Sequence, residues 1–424
     1  MIASAEFRQR RDRLLQMLPA DAAALVPAAP RQWRNRDAAW PYRQSSDFYY
    51  LTGFTEPDAL LVLLPGRDSS RTILFCADID AEDPRWHGGA LGPERAVAEL
   101  GVDDAFPIND LDDILPGLLE PVSQVHVELG QNPAFDQHLI ESRLCGRADT
   151  VPLGPQLHEL RLFKSAAELR LLRQAARISA AAHRHLMQYA RPGVTEARLE
   201  AELLYSFMCQ GARFPAFPSI VASGVNACTW HYTSQAAALR DGDLVLVDAG
   251  CEYQYYASDI TRTFPANGRF NGRQRELYSL VLAAHTAAVA AVRPGATIQC
   301  PQVAARTVLV DGLCQLGLLP TSPAEALETG SFQAYCAPRS AHWLGLDVHD
   351  VGDYQLGEAA RILEPQMVLT VEPGLYLPPS ADVPASWRGL AVRIEDEVLV
   401  TRQGAELLTD DAPRAIDDIE ALMS

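Results

Sequence analysis

Five potential metal ligands, Asp248, Asp259, His342, Glu372 and Glu395, lie in apolar strand-like runs or beside a small-residue turn. No other feature constrains the fold as much. A buried carboxylate without a partner is so unfavourable that it protonates, pairs with a cation or coordinates a metal. Asp248 ends the run Leu244-Val245-Leu246-Val247, and Glu372 ends Met367-Val368-Leu369-Thr370-Val371. Glu395 follows Ala391-Val392-Arg393-Ile394 and precedes Val398-Leu399-Val400, while Asp259 precedes Ile260-Thr261. The pattern predicts four acids on four strands around a common cation. For any single acid, capping a helix or pairing with Arg262 or Arg393 is an alternative; for the whole set a metal is favoured.

A faint internal repeat organises these residues. A helical run ends at Arg191-Pro192-Gly193-Val194-Thr195 and another helix follows, and the same grammar returns at Arg293-Pro294-Gly295-Ala296-Thr297. Each half then delivers a strand ending in an acid near a glycine, and a second strand with another acid, so four carboxylates surround one pseudo-two-fold centre. A two-residue turn at Tyr253-Gln254 sets Asp248 directly opposite Asp259, with Cβ atoms about 4.5–5.5 Å apart. The second pair has a longer connection containing Pro378, Pro379 and Pro384, which leaves its register open.

Length and composition, 424 residues with 48% hydrophobic and 21% charged, suit a large globular protein of two or three domains. Short apolar runs at Ala23–Val26, Leu60–Leu64, Ile73–Phe75 and Val125–Val127 alternate with amphipathic stretches, as in an α/β domain. Ser165-Ala-Ala-Glu168 is a capping-box pattern opening a long helix. The boundary is therefore placed there, with an N-terminal α/β domain over 1–160 and a second domain, which carries all five candidate ligands, over 161–424. A net charge of −18 argues against nucleic acid and anionic lipid as partners and suits a chain that concentrates cations. The N-terminus is charged where a secretory signal places its apolar core, and no apolar stretch approaches spanning length, so the cytoplasm is expected. Eight dispersed cysteines without a CxxC pair read mostly as buried thiols.

Four carboxylates and an imidazole make an oxygen-rich site suited to Mn²⁺, with Co²⁺, Fe²⁺ or Zn²⁺ as alternatives. Two divalent cations offset their charge. Such a pair, about 3.5–4 Å apart, can hold a bridging hydroxide and polarise a carbonyl, which predicts metal-assisted hydrolysis. His342 lies among small residues in Ser340-Ala341-His342-Trp343-Leu344-Gly345 and is assigned to metal. His349 does not share a helical face with it and is assigned to substrate. His231, in Trp230-His231-Tyr232-Thr233, is either structural or catalytic on this reading.

At these residues the chain resembles the pita-bread metallopeptidases, in particular their bacterial aminopeptidase P branch. The resemblance is carried by Val247-Asp248-Ala-Gly-Cys-Glu-Tyr, Asp259-Ile-Thr-Arg-Thr-Phe-Pro, His342-Trp-Leu-Gly-Leu-Asp-Val-His349, Val371-Glu372-Pro-Gly-Leu-Tyr376 and Arg393-Ile-Glu395-Asp. It extends into the first domain through Pro41-Tyr-Arg-Gln-Ser-Ser-Asp-Phe-Tyr-Tyr-Leu-Thr-Gly. The resemblance implies an α+β pita-bread domain preceded by a smaller α/β domain. It implies hydrolysis of the bond between an N-terminal residue and a following proline, and a dimer or tetramer. In it Asp248 chelates one metal, His342 and Glu372 the other, and Asp259 and Glu395 bridge. Glu372 also orients or deprotonates the nucleophile, His231 and His349 bond the substrate, and Tyr376 and Arg393 flank the site. Asp37 and Trp86 match positions that face the substrate in the family.

Two departures stand out. Pro338, in Ala337-Pro338-Arg339-Ser340-Ala341, replaces a histidine usual in the family's proline pocket, and the Trp86 segment lacks an arginine often found there. Metal binding is expected intact, with a proline pocket of altered shape or affinity. The alternative activity is that of a prolidase, restricted to Xaa-Pro dipeptides. Metal-free creatine-hydrolysing relatives, or a non-catalytic binding module, are disfavoured because all five ligands are present.

Overall fold

The apolar runs of the N-terminal part form one mixed sheet. In the computed structural model, which describes residues 2–79, 88–141 and 148–424, the chain divides into two units, Met1–Arg161 and Leu162–Ser424. The first carries a six-stranded sheet in the order Asp104–Pro107, Thr72–Cys76, Leu60–Leu63, Ala22–Pro27, Gln124–Val127, Asp149–Val151. Leu60–Leu63 and Thr72–Cys76 are buried at every position, as strands covered on both faces must be. Leu25, Val62, Phe75, Leu115 and Val127 belong to its core.

The second unit opens with the predicted capping box. Ser165 Oγ accepts from the Glu168 N–H while the Glu168 carboxylate accepts from the Ser165 N–H, starting helix α1 (Ala166–Tyr189). Helices α2 (Glu196–Cys209), α3 (Gly272–Ala291) and α4 (Cys300–Gln315) follow. The strands that build the site are β1 (Ile220–Ser223), β2 (Leu244–Asp248), β3 (Cys251–Tyr253), β4 (Tyr256–Ala257) and β5 (Thr261–Pro265) in one half. Those of the other half are β6 (Val368–Val371), β7 (Gly374–Leu377), β8 (Leu390–Arg393) and β9 (Asp396–Val400). One core takes in Leu186, Leu203, Val245, Tyr278, Leu369 and Val398 from both halves.

The sequence repeat is a repeat of hydrogen bonds. Gly193 N–H donates to Leu239 O and Leu239 N–H to Val194 O; correspondingly, Gly295 N–H donates to Leu363 O and Leu363 N–H to Ala296 O. Both glycines are left-handed, with φ of 93° and 84°, a conformation that favours glycine. Each turn ties the start of α2 or α4 to an extended segment of its own half.

The hairpin register differs from the expected one. Asp248 lies opposite Thr261 and Tyr253 opposite Tyr256. The turn is Gln254-Tyr255, both at positive φ (50° and 72°), as a type I′ hairpin requires. The close approach at Gly250 accompanies this register: a Cβ there would overlap the Ser258 carbonyl oxygen, and Ser258 N–H donates to Cys251 O. Asp259 is thus the diagonal rather than the direct neighbour of Asp248, still on the same face because the side-chain period is two. In the second half Val371 lies opposite Asp396 and Gly374 opposite Arg393. One register runs through both ladders and sets Glu372 opposite Glu395.

Only Asp248 lies within a strand; Asp259, Glu372 and Glu395 occupy the breaks between paired segments. The expectation of four acids on four strands is corrected to this extent. The expectation of mostly buried cysteines also changes: among the described residues Cys76, Cys251 and Cys336 are buried, Cys228, Cys300 and Cys314 half-buried and Cys209 exposed. Cys209, Cys300 and Cys314 sit at or near helix ends, where the chain reaches solvent. No helix among the described residues is long and apolar enough to cross a membrane.

Candidate metal centre and substrate cavity

Asp248, Asp259, His342, Glu372 and Glu395 all line one cavity of about 750 Å³ in the second unit, together with His231, His349, Tyr376 and Arg393. Asp248 at the end of β2 and the acids at the three breaks line the cavity, and a third segment brings the imidazole. Residues 340–344 run alongside β6: Glu372 N–H donates to Ser340 O and Thr370 N–H to His342 O, while His342 N–H donates to Thr370 Oγ1 at 3.1 Å.

His342 Nδ1 lies 3.0 Å from Trp343 O, a contact in which Nδ1 donates and which turns Nε2 toward the acids. That Nε2 faces Asp259 Oδ2 at 3.3 Å, Glu372 Oε1 at 3.6 Å and Glu395 Oε1 at 4.0 Å. An imidazole nitrogen and three carboxylates converging at these distances suit a cation between them. One ligand atom each from Asp259, His342 and Glu395 lies within 4.8 Å of the others.

The electrostatics agree. Burial pushes the Asp259 carboxyl well above its usual range, and Glu395 and Asp248 push the same way. Burial also raises Glu395 well above its usual range, reinforced by Glu372 and Asp248. Glu372 is raised by burial, although His342 and Arg393 oppose the shift. Asp248 Oδ1 and Asp259 Oδ1 are buried without a hydrogen-bond partner. The donor set is hard, oxygen-rich and short of positive charge, so it fits divalent cations of the Mn²⁺ type.

The two arginines considered as partners diverge. Arg262 is fully buried on Asp396 at 2.6 Å, which is not one of the five, and its guanidinium also donates to backbone oxygens of Thr261, Glu395 and Ala412. Arg393 donates to Asp248 Oδ2, to Tyr376 Oη at 2.7 Å and to Thr261 Oγ1 at 2.9 Å. Burial would lower its pKa, but Tyr376, Asp248 and Glu395 outweigh this and raise it, so it stays charged. Thr261 completes the link by donating to Glu395 Oε2 at 2.6 Å. Sequence reasoning missed Thr261, although it stands in the Asp259-Ile-Thr motif, because nothing local shows that its hydroxyl joins Arg393 to Glu395.

His349 stands edge-on to His342, with ring centroids 4.4 Å apart; burial and His342 lower its pKa. His231 lines the cavity as an exposed side chain beside Trp230, whose ring lies 6.0 Å from that of Tyr376. Pro338 also lines it, its carbonyl accepting from Gln302 Nε2 at 2.7 Å. Asp37 is not among the lining residues; it sits in the exposed turn of the first unit's Trp33–Asn35/Ala38–Ala39 hairpin. Trp86 lies outside the described residues.

The comparisons with known proteins point the same way. Residues 170–402 match metallopeptidase family M24, and residues 7–127 match the aminopeptidase P N-terminal domain. The chain is 42% identical to the Xaa-Pro aminopeptidase of Escherichia coli K12, covering 100% of this chain and 98% of that one. It is 33% identical to Xaa-Pro aminopeptidase 3 of Homo sapiens, covering 100% and 86%. Among solved structures, the Pseudomonas aeruginosa aminopeptidase PepP superposes with a TM-score of 0.97 at 47% identity, covering 100% and 98%. Zinc-substituted E. coli aminopeptidase P in complex with product gives 0.95 at 42% identity, with the same coverage. With the ligand geometry, both halves of the fold and full-length relatives in agreement, the chain belongs to metallopeptidase family M24.

Proposed function

We propose that this protein is an Xaa-Pro aminopeptidase, hydrolysing the bond between an N-terminal residue and a following proline with two divalent cations. The observation that carries the reading is the convergence of Asp259, His342 and Glu395 within 4.8 Å, in a cavity that also takes in Asp248 and Glu372. Those five residues would hold the cations, Mn²⁺ being the ion best suited to the set, with Co²⁺, Fe²⁺ or Zn²⁺ as substitutes. When bound, the metals supply a nucleophile ionised near neutral pH and polarise the scissile carbonyl.

The remaining roles fall to side chains of this chain. Glu372 has the most open side chain of the five, 21% exposed, which leaves it accessible to take a proton from the nucleophile and return it to the proline nitrogen. His349 and His231 hydrogen-bond the substrate and the developing oxyanion. Arg393 fixes Asp248 and Tyr376 in place. The substrate amine would lie at the metal-binding end of the cavity, which accounts for attack on the first peptide bond. The curated relatives bear the name Xaa-Pro aminopeptidase, which supports this reading over a prolidase.

The test is to strip metal with a chelator, reload with each ion and assay Xaa-Pro-Yaa, Xaa-Pro and Xaa-Ala-Yaa peptides. Hydrolysis of Xaa-Pro-Yaa restored by Mn²⁺, with two ions per chain by elemental analysis, is expected. Cleavage of the dipeptide alone, or equal cleavage of Xaa-Ala-Yaa, overturns the assignment. Light scattering on the same sample checks the dimer or tetramer that the family resemblance implies.

A further inference from the structure

Two arginines line the cavity, and they differ in what they hold. Arg393 is buried and committed to Asp248 and Tyr376. Arg339 is exposed and forms no ion pair with any described residue. Its guanidinium lies 5.6 Å from the ring centroid of Tyr354, and that ring is itself packed 5.7 Å from Trp343. The Tyr354 hydroxyl accepts from Trp343 N–H at 3.2 Å, so the platform is fixed. The preceding residue is pinned as well, through the bond from Gln302 to the Pro338 carbonyl. A guanidinium stacked on an aromatic face with free N–H groups is the side-chain arrangement best suited to a carboxylate.

Polarity says which carboxylate. On the aminopeptidase reading the N-terminal residue of the peptide sits at the metal-binding end of the cavity, and Arg339 repels a cationic amine, so the carboxyl side of the peptide points toward Arg339. Arg339 precedes His342 by three residues, just before the segment that runs beside β6. Both side chains line the same cavity of about 750 Å³, so one bound peptide can meet both.

We propose that Arg339 binds a carboxylate carried by the substrate beyond its proline, either the α-carboxylate of a short peptide or the side chain of an acidic residue after the proline. The proposal rests on the Xaa-Pro aminopeptidase reading and refines its substrate class to anionic short peptides. Arg339 is a specificity-determining residue that the spacing of the metal ligands could not reveal.

The test uses full-length, Mn²⁺-loaded protein and three substrates: Xaa-Pro-Ala as the free acid, the same peptide as its C-terminal amide, and Xaa-Pro-Asp amide. Wild type is expected to favour a carboxylate-bearing substrate over the plain amide by about five- to tenfold in kcat/KM, expressed through KM and weakened by salt. Arg339→Gln should abolish that ratio and Arg339→Lys should retain part of it. The substrate whose advantage disappears identifies the carboxylate. Equal carboxylate-to-amide ratios in wild type and Arg339→Gln overturn the proposal. Equal cleavage by wild type of an Xaa-Ala-Ala control run beside these substrates overturns the underlying reading instead, whatever the Arg339 variants do.

Discussion

Glu395 shows how one carboxylate acts in opposite senses with and without a cation. Its side chain is 2% exposed, its pKa is raised by burial and then by Glu372 and Asp248, and Thr261 donates to one of its oxygens. Glu395→Gln keeps the acceptor for Thr261 and removes a charge from a repelling cluster. The variant is expected to melt at the same temperature as wild type or higher in chelator. It should lose the metal-dependent rise, which for wild type amounts to about 2.7 kcal/mol at a hundredfold excess over Kd. Hydrolysis should fall at least about 1000-fold. Calorimetry with and without Mn²⁺, beside a peptide assay, checks both signs; a metal-dependent rise retained in the variant would remove Glu395 from the ligand set.

At the scale of elements, the two Arg-Pro-Gly turns are the best evidence that the second unit is built twice. Gly193 and Gly295 share the left-handed conformation and the same pair of backbone bonds. Nothing lies within 4 Å of a Cβ placed at either. Gly193→Ala and Gly295→Ala should therefore each cost about 1 kcal/mol, purely from backbone strain, and the costs should add in the double variant. Urea unfolding monitored by circular dichroism measures this; strongly unequal costs would mean that the turns are not equivalent. Gly250 differs in kind, because there a side chain meets the Ser258 carbonyl.

Across the whole molecule, acid acts on the two units at different pH. His183 is completely buried in the second unit with Nε2 2.9 Å from Ala249 O, and burial pushes its pKa down to about 4. Between about 6.5 and 4 the unfolded chain holds a proton there that the folded chain does not, so its contribution to stability is lost as pH falls through that window. The loss approaches 3 kcal/mol, roughly, at the lower end. His183→Gln removes this dependence, so the difference in unfolding free energy between wild type and variant should change by that amount from pH 7 to pH 4. A difference that stays flat with pH would mean that His183 is not held neutral. In the first unit, burial alone would raise Asp47, but Arg161 at 2.7 Å and His158 outweigh it and bring it to about 2. That contribution is complete above its ordinary value of 3.8 and is lost progressively as pH falls from there through about 2.

The sequence by itself singled out the five candidate ligands, the repeat and four of the six strands of the first sheet. Acids bounding apolar runs, a duplicated Arg-Pro-Gly turn and short apolar stretches such as Leu60–Leu63 are local signals with direct energetic meaning. Tertiary structure decided the rest. The hairpin turn fell one residue later than spacing suggested, at Gln254-Tyr255, where the chain also makes the close contact at Gly250. The Glu372–Glu395 register emerged only from the ladders on either side of a break. Arg262 and Arg393, similar in sequence context, went to different acids. Which charge meets which in a buried site depends on distances across the fold, and a local pattern of residues carries no such distances.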